Sequence, residues 1–262
     1  MYHIEFDPPD LLRSAIKCIW YDKIEFGSYK LVHEVTPDGY VEIIFYFGNS
    51  CSLITNRKSS RLTSPFLIGL LNKPVTFSSE DTLEIIGIRC YPWTVSGLLN
   101  IPADGLRGVQ NINHNIGNIH ATLSELISMG TIDPAVNLIK EFLINSRIPL
   151  PDSSALLYKA GYALNSANGI ITVTKVAEAA HASVRTLERN FKQSSGHSVK
   201  NVSGLMRFEQ VRNRLLIDPT CNIAGLAHEL GYTDQSHLTK EFKRYSGLTP
   251  SAFARMAKIA GR

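Results

Sequence analysis

Ser183-Val-Arg-Thr-Leu-Glu-Arg-Asn-Phe-Lys-Gln-Ser-Ser-Gly-His-Ser-Val199 and Asp234-Gln-Ser-His-Leu-Thr-Lys-Glu-Phe-Lys-Arg-Tyr-Ser-Gly-Leu-Thr-Pro250 are two readings of one pattern. At an offset of 51, Leu187/Leu238, Phe191/Phe242, Lys192/Lys243, Ser195/Ser246 and Gly196/Gly247 coincide. Ser183 and Asp234 are both N-cap residue types, and Arg189 and Lys240 are both cationic. The spacing predicts one capped helix used twice. Leu and Phe, four residues apart, mark its buried face, so the remaining positions face outward.

Upstream of each copy the sequence predicts a second capped helix, Thr172–Ala180 and Asn222–Leu230. Ala177 and Ala227 fall where two helices must cross closely, and Gly231 suits the sharp turn that follows the second of these helices. A helix, a short turn and a helix make the helix-turn-helix pattern, whose second helix enters the major groove. Val199–Ile217 carries one apolar stripe that Asp218-Pro219 stops. At 1.5 Å per residue such a helix spans roughly 28 Å, enough to hold two recognition helices near one DNA turn, roughly 34 Å, apart.

The chain of 262 residues is 44% hydrophobic and 19% charged, a globular composition that excludes disordered and collagenous classes. No apolar run is long enough to span a bilayer, and Met1–Asp10 lacks the order of a signal peptide, so a cytoplasmic protein is expected. Charge is uneven: residues 1–151 carry 12 Lys+Arg against 15 Asp+Glu, residues 152–262 carry 15 against 8. A basic C-terminal part is the footprint of a domain that meets a polyanion. The two prolines of Arg147-Ile-Pro-Leu-Pro-Asp-Ser-Ser154 place a domain boundary there, giving domains 1–150 and 151–262.

The first domain reads as α+β, a small antiparallel sheet or barrel plus helices. Tyr40–Phe47 and Leu83–Cys90 are β-branched and aromatic runs between turn signals, with weaker strand signals at Ile16–Tyr21, Lys30–Val35, Leu53–Thr55 and Pro65–Leu70. Ile116–Met129 and Pro134–Asn145 have helical spacing, the latter suiting either a dimer helix or packing on its own sheet. The second domain reads as all-α, two helix-turn-helix units joined by a long helix.

Cys18, Cys51, Cys90 and Cys221 lack metal-ligand spacing and read as small buried apolar side chains. His114 and His120 are six apart, a spacing that suits no helical metal pair, so neither a metal nor a cofactor is expected. No nucleophile-elbow, phosphate-loop, zinc-protease or dinucleotide fingerprint occurs, and no enzyme activity is expected.

Residues from about 153 to 262 resemble the tandem helix-turn-helix domain of AraC/XylS-type bacterial transcription regulators. The match runs through Ala177, Ser183, Leu187, Arg189, Phe191-Lys192, Gly196, Arg207, Ala227, Leu230-Gly231-Tyr232, Asp234, Ser236, Leu238, Phe242-Lys243, Gly247 and Thr249-Pro250. Val199, Phe208 and Ala254 depart from the usual proline, leucine and arginine. More loosely, Pro8-Pro9, Thr36–Phe45, Gly69 and Gly87–Pro92 resemble a sensor-type domain of undescribed function found on some family members.

The resemblance implies base reading by Val184, Arg185, Glu188 and Arg189 in the first unit and by Gln235, Ser236, Thr239 and Lys240 in the second. Arg suits guanine, Glu cytosine and Gln adenine. Lys192, Lys243 and Arg244, near helix ends, suit phosphates, with Lys200 and His197 adding backbone contacts. The expected partners are promoter DNA, RNA polymerase, a small-molecule effector and a second copy of the chain. The expected role is activation, with Tyr40, Phe45, Phe47 and Trp93 lining an effector pocket or simply packing in the core. Two other readings stay open: a ligand-independent regulator whose first domain only makes protein contacts, and a DNA-repair-type enzyme fused to the same DNA-binding domain.

Overall fold

The computed structural model describes residues 2–25, 31–55, 58–80, 82–101, 106, 108–146 and 153–260. All ten described strands precede residue 112, and everything described from Ser153 onward is helical or connecting. The expected boundary at 150/151, and most of the Ile148–Ser154 linker, lie outside the described residues.

The first domain stacks two antiparallel sheets. One has six strands: β1 (Tyr2–Phe6), β2 (Ile16–Glu25), β9 (Thr82–Cys90), β4 (Val41–Gly48), β7 (Phe66–Ile68) and β10 (Val109–Asn111), in that order. The other runs β3 (Leu31–Val35), β8 (Val75–Ser79), β5 (Ser52–Thr55) and β6 (Lys58–Arg61). The apolar run of β4 has a direct cause. Val41, Ile43, Phe45 and Phe47 belong to the cluster shared with the helices, while Ile44 belongs to a second cluster with Phe66 and Phe77 between the sheets. Both faces are therefore covered, and the strand shows no alternation of buried and exposed residues. Each such fully buried Ile or Phe contributes about 1.5–3 kcal/mol.

Three helices close this domain: α1 (Val95–Leu99), α2 (His120–Ser128) and α3 (Ile132–Asn145). Helix α3 buries Ala135, Val136, Ile139 and Leu143 and packs against α2 and the 3-10 turn Asn115–Ile119. His120 stacks on Phe47 at 5.5 Å, and His114 caps a short 3-10 turn by accepting from the Ile116 N–H at 3.1 Å. Cys18, Cys51 and Cys90 are buried and Cys221 is half-buried.

The helical part comprises α4 (Ser153–Ser166), α5 (Val173–Ala179), α6 (Val184–Ser195), α7 (Val199–Ile217), α8 (Ile223–Glu229), α9 (Gln235–Ser246) and α10 (Pro250–Ala260). It meets the sheet domain along an aromatic run. Tyr40 neighbours Tyr91, Tyr91 stacks on Trp93 at 5.3 Å, and Trp93 meets Phe191 of α6 at 5.6 Å. A Cβ at Gly161 of α4 would fall 2.2 Å from the Trp93 indole, so only glycine lets the ring lie against that helix. A second junction joins the turn before β4 to α7. There Arg212 Nη1 donates to Thr36 Oγ1 at 2.7 Å, and a Cβ at Gly39 would meet Met206 Cγ at 3.1 Å.

Candidate nucleic-acid interface

Each recognition helix is fixed by its own short sequence. At the N-termini, Ser183 Oγ accepts from the Thr186 N–H at 3.2 Å and Asp234 Oδ1 from the His237 N–H at 2.8 Å. At the C-termini, Gly196 and Gly247 adopt the left-handed conformation at φ 73° and 75°. The serine before each glycine turns back to donate to the helix, Ser195 to Phe191 O at 2.7 Å and Ser246 to Phe242 O at 2.8 Å. The repeat seen in sequence is thus a repeat of caps. Leu187, Phe191, Leu238 and Phe242 are all buried, and Ala177 and Ala227 lie where α5 and α8 pack on α6 and α9.

The turns of the two units differ by one residue. His181, at φ 51°, takes the left-handed place that Gly231 takes at φ 71° in the second unit. Nothing in the composition of the first turn signals this strain, which a histidine side chain tolerates less readily than glycine.

The outward faces carry the expected groups. Val184, Arg185, Arg189, Gln235, Ser236 and Lys240 are exposed, as are Lys192, Lys243, Arg244 and Lys200, while Thr239 is half-buried. Two residues differ. Glu188 is half-buried, and its Oε2 accepts from the Val199 N–H at 3.4 Å, which commits the carboxylate to the start of α7. A negative group there also meets the positive end of the helix dipole. His197 is 8% exposed, and its backbone N–H donates to Ser195 Oγ at 3.1 Å.

Helix α7 holds the units together over 19 residues. Arg207 is the tie. Its Nη1 donates to Gly169 O at 3.3 Å and Ser203 Oγ at 3.1 Å, on the approach to the first unit. Its Nη2 donates to Glu241 Oε1 of α9 at 3.4 Å, and its guanidinium lies 5.2 Å from the centre of the Tyr232 ring. The sequence pattern includes Arg207 without assigning it a task; its partners are 38 and 34 residues away, beyond the reach of spacing arguments.

The expected effector-lining residues lie outside a cavity found between the two sheets. Phe45 and Phe47 are core side chains, and Trp93 belongs to the junction with α6. Tyr40 lies beside Tyr91 and under the Arg89 guanidinium, at 5.4 Å. The cavity, about 280 Å³, lies between the two sheets on the other face of β4, and its lining contains none of these four. Alternation along the strand separates them: odd-numbered residues of β4 point to the helices and even-numbered ones to the cavity.

Residues 176–256 match a family described as a helix-turn-helix domain. The match spans both helix-turn-helix units, from Val176 in α5 to Met256 in α10. Residues 4–111, upstream of this segment, match a family described as a domain of unknown function, DUF6597. The HTH-type transcriptional regulator RipA of Corynebacterium glutamicum is 33% identical over 82 residues, 31% of this chain and 24% of that protein. The matched stretch thus spans about a quarter of that relative. Among solved structures, ToxT from Vibrio cholerae O395 is 14% identical with a TM-score of 0.49, covering 91% of this chain and 98% of its own. The DNA-binding domain of AdpA, a global transcriptional factor crystallised with a target DNA, is 22% identical with a TM-score of 0.37, covering 40% and 95%. No helix of the described residues is long and apolar enough to cross a membrane.

Proposed function

We propose that the chain is a sequence-specific transcription activator of the cytoplasm, and that α6 and α9 read successive major grooves of one promoter site. The observation that carries this reading is the pair of identically capped helices, held on one continuous α7, with Arg185, Arg189, Gln235, Ser236 and Lys240 all exposed. Arg185 and Arg189 offer bidentate donors to guanine and Gln235 a bidentate partner to adenine. Lys192, Lys243 and Arg244 stand where phosphates flank the grooves, and Thr239 completes the second reading set. Glu188 is left out, because its carboxylate is occupied at α7.

In this reading the first domain, residues 1–150, senses a small molecule and supports pairing with a second copy, and the assembled protein engages RNA polymerase. A ligand can alter promoter occupancy only through different affinities for two arrangements of the domains. The Thr36–Arg212 and Trp93–Phe191 junctions are where such arrangements would differ.

The test is a genome-fragment binding selection with the full chain and with residues 152–262, at fixed salt because phosphate contacts make affinity salt-dependent. Enrichment of one two-part motif by both proteins is expected, with a higher affinity or a doubled site for the full chain if the first domain pairs copies. No enrichment by either at low salt refutes the reading.

A further inference from the structure

The cavity between the sheets is lined by both apolar and charged side chains. Trp20, Ile44, Phe66 and Phe77 supply the apolar walls. Asp38 and Glu42 flank Arg89 of the sheet domain, and Arg212 of α7 also lines the cavity. The balance of charge there is uneven. Four carboxylates line the cavity, Asp22, Glu34, Asp38 and Glu42, against two guanidiniums. Asp22 is held by His3. Of the other three, Glu34 is exposed to solvent and Glu42 is well served: Arg89 Nε donates to it at 2.8 Å and Trp20 Nε1 at 3.1 Å. Arg212 is shared with Glu209 of α7, at 3.9 Å, and with Thr36.

Asp38 is the group left short of donors. Its Oδ1 accepts from the Tyr40 N–H at 3.0 Å, but its Oδ2 stands 3.7 Å from Arg89 Nη2, beyond hydrogen-bond distance. Burial first, then the charges of Glu42 and Glu209, push its carboxyl up to about 7 against the pull of Arg89. A half-buried carboxylate that faces a cavity and lacks a full cationic partner is a receptor for one. The apolar walls next to it add an indole and two phenyl rings, surfaces that also favour a cation.

We propose that this cavity binds a small organic amine, with its ammonium group against Asp38 and its apolar body between Trp20, Phe66 and Phe77. This deepens the effector-sensing reading above and rests on it for its regulatory consequence. A single ring with a short aminoalkyl chain suits a cavity at the small end of ligand sites, which run roughly 300–1,000 Å³. The turn that carries Asp38 touches the cavity on one side and α7 on the other, through Thr36 on Arg212 and Gly39 on Met206. A ligand that draws Asp38 toward itself therefore acts on the helix that spaces the two recognition helices.

The test is titration calorimetry on the full chain with 2-phenylethylamine, with 3-phenylpropanoate as its anionic counterpart and 3-phenylpropan-1-ol as its neutral one. Saturable binding of the amine, tighter than either counterpart, is expected. Asp38→Asn should weaken it by about ten- to a hundredfold, the range for a hydrogen bond to a charged group. That variant removes a carboxylate whose ionisation opposes folding, so its melting temperature should hold and the loss cannot be put down to unfolding. Equal binding of the anion, no saturable binding of the amine, or an unchanged affinity in Asp38→Asn overturns the proposal.

Operator affinity measured in the same samples separates this inference from the reading beneath it. If the amine binds without changing DNA affinity, effector sensing fails while the amine site stands. If the anion alone binds and shifts DNA affinity, sensing stands and the amine site fails.

Discussion

Arg207→Met would show whether one side chain holds the two helix-turn-helix units in register. Methionine keeps the aliphatic stem and deletes a guanidinium that donates to Gly169 O, Ser203 Oγ and Glu241 Oε1 and lies over Tyr232. A hydrogen bond to a charged group is worth about 1.5–3 kcal/mol, and the contact with the ring about 0.5–1 kcal/mol. Glu241 would be left without its cation, with its side chain 17% exposed, so water recovers part of that loss. The sum points to destabilisation of about 3 kcal/mol. Guanidinium chloride denaturation of Arg207→Met, Glu241→Gln and the double variant gives both the total and the coupling, which should be about 1–2 kcal/mol. The functional readout is affinity for operators whose two halves are moved apart by single base pairs. The parent protein should discriminate sharply among them, and Arg207→Met should do so weakly. A stability change below about 0.5 kcal/mol together with an unchanged spacing profile refutes the role of Arg207 as a tie.

Glu188→Ala should cost about 0.5–1 kcal/mol of stability by freeing the start of α7, yet leave base preference as it was. Arg189→Ala should instead relax preference at one base pair by about 1–3 kcal/mol in the same binding selection; the reverse pattern would return Glu188 to the groove. His181→Gly relieves a left-handed histidine and should raise stability by about 0.5–1 kcal/mol, and a lower melting temperature would contradict that. The Asp38 carboxyl, raised in the fold from 3.8 to about 7, keeps a proton that the unfolded chain releases. Its contribution to stability therefore falls as pH rises through that window, so Asp38→Asn should flatten the profile and exceed the parent in stability near about pH 8. Parallel profiles for the two proteins would disprove this.

What the sequence could disclose follows the range of each interaction. The helical domain is legible because its signals are local: caps three residues from their donors, apolar pairs four residues apart, glycine at each helix end. Strands β4 and β9 stand out for their branched and aromatic runs, and β2 gives a weaker signal. Strand β6 does not, because Lys58–Arg61 is exposed throughout, and an edge strand without a buried face carries no alternation. Strand β8, with Thr76, Ser78 and Ser79 among its five residues, is masked by its hydroxyls. The exposed reading residues of α6 and α9 are visible from helical phase alone. Glu188 shares that phase and still turns away, because Val199 lies eleven residues on, past a glycine turn. Phe45 and Phe47 pack in the core while Glu42, Ile44 and Tyr46 line the cavity, and because both faces of β4 are covered its pattern does not say which face looks into the space between the sheets.

Trp93 reaches α6 at Phe191, on the side of the helix turned away from Arg185 and Arg189. On the proposed reading, substitutions that would retarget the protein to a new promoter fall on one surface, and those at the junction with the sheet domain fall on the opposite one. Address and input can thus change hands independently: a chimera that exchanges the outward residues of α6 and α9 keeps its junction, and one that exchanges the sheet domain needs only to supply an equivalent of Trp93 and of the turn around Thr36 and Gly39.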